Sequence, residues 1–239
     1  MDKKIYILST EDEILSHLAQ KIQTAATNAI SQQNIFKIGL SGGSMVKQLA
    51  KIFPTICTDW SKWRFFFCDE RMVPFDDSES TFGAYLKAFK NVTDIKEDQF
   101  VTINPDLSAE EAAKDYIKKL SIYFPPNDIP KFDLLLLGMG PDGHTCSLFP
   151  GHPLLEESSV WVAPIVNSPK PPPCRITLTF PVINNAQISI FIIIGESKAP
   201  VIKKILEDNE PLPAQRVQPS NGNVLWFLDK AAASQLTSN

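Results

Sequence analysis

Unbroken runs of apolar residues alternate along this chain with longer segments in which apolar residues recur every three or four positions. The clearest run is residues 132–137, Phe-Asp-Leu-Leu-Leu-Leu. A strand that is apolar on both faces is typical of a parallel sheet covered by helices. The clearest periodic segment starts at residues 10–13, Thr-Glu-Asp-Glu, which have capping-box spacing, and it continues to Ala29. The pattern therefore predicts buried strands that alternate with amphipathic helices.

The same criteria predict secondary structure along the whole chain. Strands are predicted at residues 4–8, 35–40, 63–68, 132–137, 161–166, 175–178, 188–194 and 224–228. Helices are predicted at residues 10–29, 44–53, 109–120, 198–206 and 230–236. This order predicts an α/β fold, a layered Rossmann-like arrangement with a mostly parallel sheet and helices on both faces. Because no repeat or long linker divides the chain, we expect a single domain over residues 1–239.

Composition narrows the classes of function. The 23 basic and 27 acidic residues are mixed along the chain, so no charged patch for nucleic acid is predicted. No apolar stretch approaches the ~20 residues of a membrane span. The four cysteines form no Cys-x-x-Cys pair, and the first residues, Met-Asp-Lys-Lys, do not resemble a signal peptide. We expect a cytoplasmic protein without nucleic-acid or membrane partners, and a monomeric state is compatible with the sequence.

An imidazole and a carboxylate follow the Leu-rich strand on a glycine-rich turn, residues 138–144, Gly-Met-Gly-Pro-Asp-Gly-His. Ligands of parallel sheets bind beyond the carboxyl ends of the strands. His144 titrates near neutrality, so it can take a proton from water and return it to a leaving group. Asp142 would hold the tautomer of His144 or cap the turn. We predict that both residues are catalytic; a structural histidine is the alternative.

Two cofactor interpretations of this turn are weaker. The glycines match the dinucleotide fingerprint, but residues 150–153, Pro-Gly-His-Pro, break the chain where the fingerprint requires a helix. His144, Cys146 and His152 form a possible metal trio that lacks an evident fourth ligand. We therefore predict neither a cofactor nor a metal.

A second motif, residues 41–44, Ser-Gly-Gly-Ser, lies between a predicted strand and a predicted helix, where backbone amides favour a phosphate. It lacks the Lys-Ser/Thr ending of a nucleotide P-loop, so a sugar phosphate fits better than ATP. Carboxylates and cations at other strand ends add possible ligands, with local salt bridges or a surface lysine as alternatives. The predicted substrate- and phosphate-binding residues are Ser41, Gly42, Gly43, Ser44, Asp69, Glu70, Arg71, Gly140, Gly143, Arg175 and Lys198.

Five segments together resemble the 6-phosphogluconolactonase family. They are residues 41–44 (SGGS), 68–71 (CDER), 138–151 (GMGPDGHTCSLFPG), 173–179 (PCRITLT) and 195–198 (GESK). The resemblance covers nearly the whole chain. It implies the hydrolysis of 6-phospho-D-glucono-1,5-lactone, a phosphosugar lactone, to 6-phospho-D-gluconate in the pentose phosphate pathway, without a cofactor. It also implies a fold shared with glucosamine-6-phosphate deaminases.

Those deaminases are the nearest alternative, because they carry a similar Asp-Gly-His turn. Here the turn continues as residues 147–150, Ser-Leu-Phe-Pro, in place of the Ala-Phe-Asn-Glu-Pro-like stretch expected of a deaminase. Arg71 likewise stands where the deaminase pattern has tyrosine, and Cys146 stands where the lactonase pattern has alanine. A non-catalytic sugar-phosphate sensor is a second alternative, against which the intact His144 and Asp142 argue.

For lactone hydrolysis, the sequence suggests one proton carrier. We expect His144 to deprotonate a water that attacks C1 and then to protonate the ring oxygen that leaves. The oxyanion is expected to face backbone amides of residues 140–143 or a nearby side chain.

Overall fold

A sheet of six parallel strands, flanked by helices, organises the computed structural model, which describes residues 4–90, 94–125, 127–219 and 223–237. The opening residues 1–3 lie outside the described part. The strands are β1 (Lys4–Leu8), β2 (Phe36–Leu40), β3 (Trp63–Phe67), β4 (Asp69–Arg71), β5 (Leu134–Leu137), β6 (Val162–Ile165), β7 (Arg175–Leu178), β8 (Ser189–Ile193) and β9 (Val224–Asp229). The α-helices are α1 (Glu11–Gln33), α2 (Ser44–Ile52), α3 (Thr81–Phe89), α4 (Ala109–Leu120), α5 (Phe180–Ile183) and α6 (Ala199–Leu206).

The Leu-rich strand β5 lies near the middle of the sheet, whose order is β1-β9-β8-β5-β2-β3 with parallel pairs throughout. Leu134 and Leu136 pack into the core beneath α1, α2 and α3, whereas Leu135 and Leu137 pack into the core beneath α4 and α6. Successive strand residues point to opposite faces, so an unbroken leucine run fills two cores at once. The prediction of a mostly parallel sheet with helices on both faces is confirmed.

A second, antiparallel sheet of three strands has the order β4-β7-β6. The strands predicted at residues 161–166 and 175–178 belong to this sheet, and the polar residues 69–71 form its third strand instead of a loop. Its register sets Arg71 opposite Arg175. The small sheet thus carries two of the predicted ligand cations.

Three helices differ between the sequence predictions and the structure, and one of them is the single-turn helix α5, which the sequence does not predict. The sequence does not predict helix α3. The helix begins where the side chain of Ser80 accepts from the Gly83 amide, and its buried face includes Tyr85 and Phe89. The helix predicted at residues 230–236 is wrong, because this segment is a series of turns that starts where Asp229 accepts from the Ala232 amide. A segment this short is marginal as a helix unless packing supports it.

Candidate active site

A cavity of about 470 Å³ opens at the carboxyl ends of β2, β5 and β8. Residues that lie far apart in the sequence converge at this cavity. Ten of the 13 predicted site residues line it: Ser41, Gly42, Gly43, Ser44, Asp69, Arg71, Gly140, His144, Arg175 and Lys198. The other three, Asp142, Glu70 and Gly143, are not part of the wall.

The imidazole of His144 is paired with the carboxylate of Asp142, whose Oδ1 lies 2.5 Å from His144 Nδ1. Burial raises the pKa of Asp142, but hydrogen bonds from His144 and Lys170 outweigh this effect and lower it. Burial lowers the pKa of His144, helped by the charge of Lys170 and opposed by Asp142. An ionised Asp142 accepts a hydrogen bond from Nδ1–H, so Nε2 of the neutral ring carries a lone pair. This is the state that a general base requires.

The glycines of the turn make room for this pair. A Cβ at Gly140 would lie 2.0 Å from the His144 ring, and Gly143 has a φ of +79°, which L side chains rarely adopt. The Gly140 amide donates to the His144 carbonyl at 2.9 Å, and the Gly143 amide donates to the Gly140 carbonyl at 3.0 Å. These two amides are therefore used inside the turn. Neither of these two amides is available to an oxyanion. The expectation that an amide of residues 140–143 or a nearby side chain faces the oxyanion therefore stays a prediction for the Asp142 amide and for side chains of the cavity wall.

Lys170 is a site residue that sequence reasoning missed. Its Nζ lies 3.2 Å from Asp142 Oδ1 and 3.1 Å from His144 Nδ1. The residue belongs to the proline-rich loop 168–173, which precedes Arg175 in the chain. A loop lysine among prolines carries no sequence signal for this contact, since the pairing depends on how the loop folds back over the turn.

At the amino end of α2, the loop 41–44 is built as an anion site requires. Gly43 has a φ of 72° and lets the chain turn directly from β2 into the helix, whose first turn carries no acidic residue. Ser41 Oγ and Gln48 Oε1 are buried at the cavity, and neither has a hydrogen-bond partner among the described residues. Gln48, also missed, lies one turn beyond Ser44 on the same helix face, and that spacing was its available signal.

The cations of the wall are held by different partners. Arg71 Nη1 donates to the carbonyl and the carboxylate of Glu79, at 2.8 and 3.2 Å, while its buried Nε is unpartnered among the described residues. Lys198 Nζ donates to the Met139 carbonyl at 2.8 Å, and burial lowers its pKa, with the charge of Lys170 adding to the effect. Both cations keep donors free for a ligand, because each has more N–H groups than these contacts use.

Asp69 and Arg175 meet at the hydroxyl of Ser147. Ser147 Oγ donates to Asp69 Oδ2 at 2.7 Å and lies 3.4 Å from Arg175 Nη1. Most of the Arg175 guanidinium is directed away from the cavity, toward backbone carbonyls of the proline-rich loop. One face of this cluster still reaches the cavity, so a role of Asp69 and Arg175 in binding substrate stays a prediction.

Glu70 faces the protein interior and not the cavity. The residue is 1% exposed, and its carboxylate accepts from the amides of Arg71, Thr81 and Phe82, each at 2.8 Å. Burial raises its pKa, and the three amide bonds oppose the rise. The structure therefore gives Glu70 the task of tying β4 to the start of α3, in place of the substrate contact that we predicted.

Replacing Glu70 with alanine is expected to lower the free energy of unfolding by about 3 kcal/mol, because buried amides at the start of α3 lose a charged acceptor. Urea unfolding measures the change. Glu110→Ala, at an exposed position of α4, is the matched control and should cost less than about 0.5 kcal/mol. Unchanged stability together with a raised KM would return Glu70 to the substrate site.

Within the described residues, no cluster of three or more His, Cys, Asp or Glu side chains is placed to hold a metal ion. Among those same residues, no helix combines the length and the apolar character needed to cross a bilayer.

A parallel sheet with a cation-lined cavity and an imidazole–carboxylate pair at its carboxyl edge defines an α/β enzyme that acts on a small anionic substrate. The family model described as glucosamine-6-phosphate isomerases/6-phosphogluconolactonase matches residues 9–226. This chain belongs to that family.

Relatives and solved structures agree with this assignment. A Homo sapiens protein named 6-phosphogluconolactonase is 52% identical, over 98% of this chain and 93% of its own. A rice protein named "Probable 6-phosphogluconolactonase 4, chloroplastic" is 39% identical, over 98% of this chain and 76% of its own. The structure of 6-phosphogluconolactonase from Trypanosoma cruzi superposes with a TM-score of 0.85 at 30% identity, over 99% of this chain and 97% of its own.

Proposed function

We propose that this chain hydrolyses 6-phospho-D-glucono-1,5-lactone to 6-phospho-D-gluconate, the second step of the oxidative pentose phosphate pathway, with His144 as the general base. The observation that carries the mechanism is the His144–Asp142 pair at the wall of a cavity that also holds Arg71 and Lys198. A lactone phosphate needs both features, since its ester carbonyl is attacked by water and its phosphate is a dianion.

In this mechanism, the Nε2 lone pair of His144 takes a proton from water as the water attacks C1. The resulting imidazolium is stabilised by Asp142 and gives its proton to the ring oxygen when the C1–O bond breaks. Because the Gly140 and Gly143 amides are used inside the turn, we assign the oxyanion to a side-chain donor of the cavity wall.

The phosphate is placed against the amides of residues 42–44 and the cations Arg71, Arg175 and Lys198. Binding the dianion there fixes C1 near the base, so that remote binding energy contributes to the rate. Asp69 Oδ1, which has no hydrogen-bond partner among the described residues, is left for a hydroxyl group of the sugar. Ser41 Oγ and Gln48 Oε1 are buried, so each would contact the sugar only after its side chain rotates.

Arg71→Ala and Lys198→Ala are each expected to lower kcat/KM for the phosphorylated lactone by about 10- to 100-fold, because each removes a charge-assisted contact. Activity on unphosphorylated glucono-1,5-lactone should change by only a few fold, since that substrate never makes the contact. Steady-state kinetics on both lactones measures the difference. Lys118→Ala, at an exposed position of α4, serves as the control. Equal losses on both substrates would contradict a phosphate role.

A direct assay tests the proposal as a whole. The purified protein should speed the disappearance of freshly prepared 6-phosphogluconolactone, after subtraction of its spontaneous hydrolysis, and should release no ammonia from glucosamine 6-phosphate. Ammonia release would instead support a deaminase, and binding of the lactone without turnover would support a sensor.

We also infer that the reaction takes place in the cytoplasm. The four cysteines, which are scattered and form no Cys-x-x-Cys pair, support a reducing compartment such as the cytoplasm. Cell fractionation with an antibody to the chain tests it, and recovery in an organelle, as the name of the rice relative says of that protein, would overturn it.

A further inference from the structure

We propose that Lys170 is a positioning residue that acts on the Nδ1 side of the His144 ring. Its ammonium group holds Asp142 in place beside His144 and disfavours protonation of the imidazole. The kinetic part of this inference rests on the proposed lactone hydrolysis, whereas its effect on the imidazole does not.

Lys170 lies beside the catalytic pair but is not part of the cavity wall. His144 is part of the cavity wall, but neither Asp142 nor Lys170 is. The Nζ of Lys170 approaches Nδ1 of the ring and Oδ1 of Asp142, at 3.1 and 3.2 Å. Lys170 therefore contacts the His144–Asp142 pair on the Nδ1 side of the ring and is not among the residues that line the cavity.

Both Lys170 Nζ and His144 Nδ1 are hydrogen-bond donors, which determines how the two groups interact. An ammonium group has only donors, and the Nδ1–H of His144 already donates to Asp142. Asp142 Oδ1 is therefore the acceptor that Lys170 and His144 share. The approach of Nζ to Nδ1 is then a contact of two donors. It is tolerable while the ring is neutral, and it becomes a repulsion between two cations when the ring is protonated.

The charged groups around the His144 ring shift its pKa in opposite directions. Asp142 on the same turn and Asp69 on β4 favour the imidazolium, whereas burial of the ring and Lys170 on the proline-rich loop oppose it. The ring also packs against Phe149, at 4.7 Å between centroids, which adds no charge. Lys170 thus contacts the ring directly, and its charge opposes the effect of the Asp142 and Asp69 carboxylates on the protonation of His144.

The loop that carries Lys170 is fixed firmly enough for this task. Arg175 donates from Nη2 to the carbonyls of Lys170 and Pro171, both at 2.9 Å, and from Nε to the carbonyl of Pro172 at 3.0 Å. Ser168 Oγ donates to the Lys170 carbonyl and accepts from its amide. The backbone of Lys170 is therefore anchored to β7, so the side chain, 37% exposed, starts from a defined point.

The direct test is a titration of the histidine rings by NMR in the wild-type protein, Lys170→Met and Lys170→Arg. The chain has three histidines, so His17 and His152 serve as internal controls. In Lys170→Met we expect the pKa of His144 to rise by about half to one unit, because one repelling charge is lost in a partly solvated place. Lys170→Arg should keep the wild-type value. An unchanged His144 titration in a folded Lys170→Met protein would overturn the proposal.

The kinetic test separates positioning from a purely structural role. In Lys170→Met, the acid limb of the pH profile of kcat/KM for the lactone should move to higher pH by the same amount, and Lys170→Arg should restore it. A purely structural role would lower the rate at every pH without moving the limb, and that outcome would contradict the proposal. Absence of lactonase activity in the wild-type protein would refute the proposed function, yet the NMR shift would still decide the role of Lys170.

Discussion

His144→Ala is expected to reduce kcat by at least ~100-fold with a much smaller change in KM, which would make it the most damaging single substitution of a polar side chain in the cavity. The imidazole performs both proton transfers in the proposed reaction, whereas the phosphate is bound by other residues. The variant should therefore still bind the substrate. Steady-state kinetics with the phosphorylated lactone, corrected for spontaneous hydrolysis, measures the two constants.

The matched control for this prediction is His17→Ala. His17 lies at an exposed position of α1, where its Nδ1 contacts the Glu13 carbonyl. It is not among the residues that line the cavity. It should keep wild-type turnover. Near-normal turnover of His144→Ala would remove the imidazole from the mechanism.

Gly140→Ala is expected to be as damaging as His144→Ala, although it leaves every functional group in place. The added methyl would lie 2.0 Å from the His144 ring and 2.6 Å from Asp142 Oδ1, so the pair has to separate or rotate. Misplacement of a reacting group by about 1 Å can cost ~100-fold in rate. Unfolding free energy should fall by only about 1–3 kcal/mol, as for other overpacked positions. Kinetics and urea unfolding on the same preparation measure both effects.

Gly138→Ala provides a close comparison, two residues away on the same turn. A Cβ at Gly138 meets no atom within 4 Å, and neither Gly138 nor Gly140 has the positive φ that would strain alanine. The two variants therefore differ in contact with the catalytic pair and not in backbone strain. Full activity in Gly140→Ala would contradict the geometry that we assign to the turn. Because Gly138 also lines the cavity, an effect of Gly138→Ala on KM alone is compatible with that geometry, whereas an equal loss of kcat would contradict it.

Several features of the fold and site could be predicted because local pattern determines them. The leucines of β5 had to face two cores, so they predicted a parallel sheet and placed the following turn at its carboxyl edge. His144 and the loop 41–44 follow directly from that placement. Asp142 could be paired with His144 because only one residue separates them.

The remaining features depend on contacts between distant parts of the chain. Lys170 reaches His144 across 26 positions, and the Glu70 carboxylate accepts from α3 amides 11 and 12 residues away. Residues 69–71, Asp-Glu-Arg, are a charged triplet after a strand. Such a triplet looks the same in the sequence whether a given side chain faces a ligand or the start of a helix. The sequence therefore predicts all three charged residues as ligands. Glu70 is distinguished by its partners, since its carboxylate accepts from backbone amides whereas Asp69 and Arg71 line the cavity.

The cavity spans two sheets, and this arrangement has a consequence for the length of substrate that fits. His144 follows β5 of the large sheet, whereas Arg71 and Arg175 belong to the small one, and the layer between them is a shared core that includes Leu137 and Ile176. The separation between His144 and these two arginines is thus set by the volume of buried side chains. We expect that a preference for shorter or longer phosphorylated lactones would require repacking beneath the cavity floor, beyond any exchange of residues at the rim.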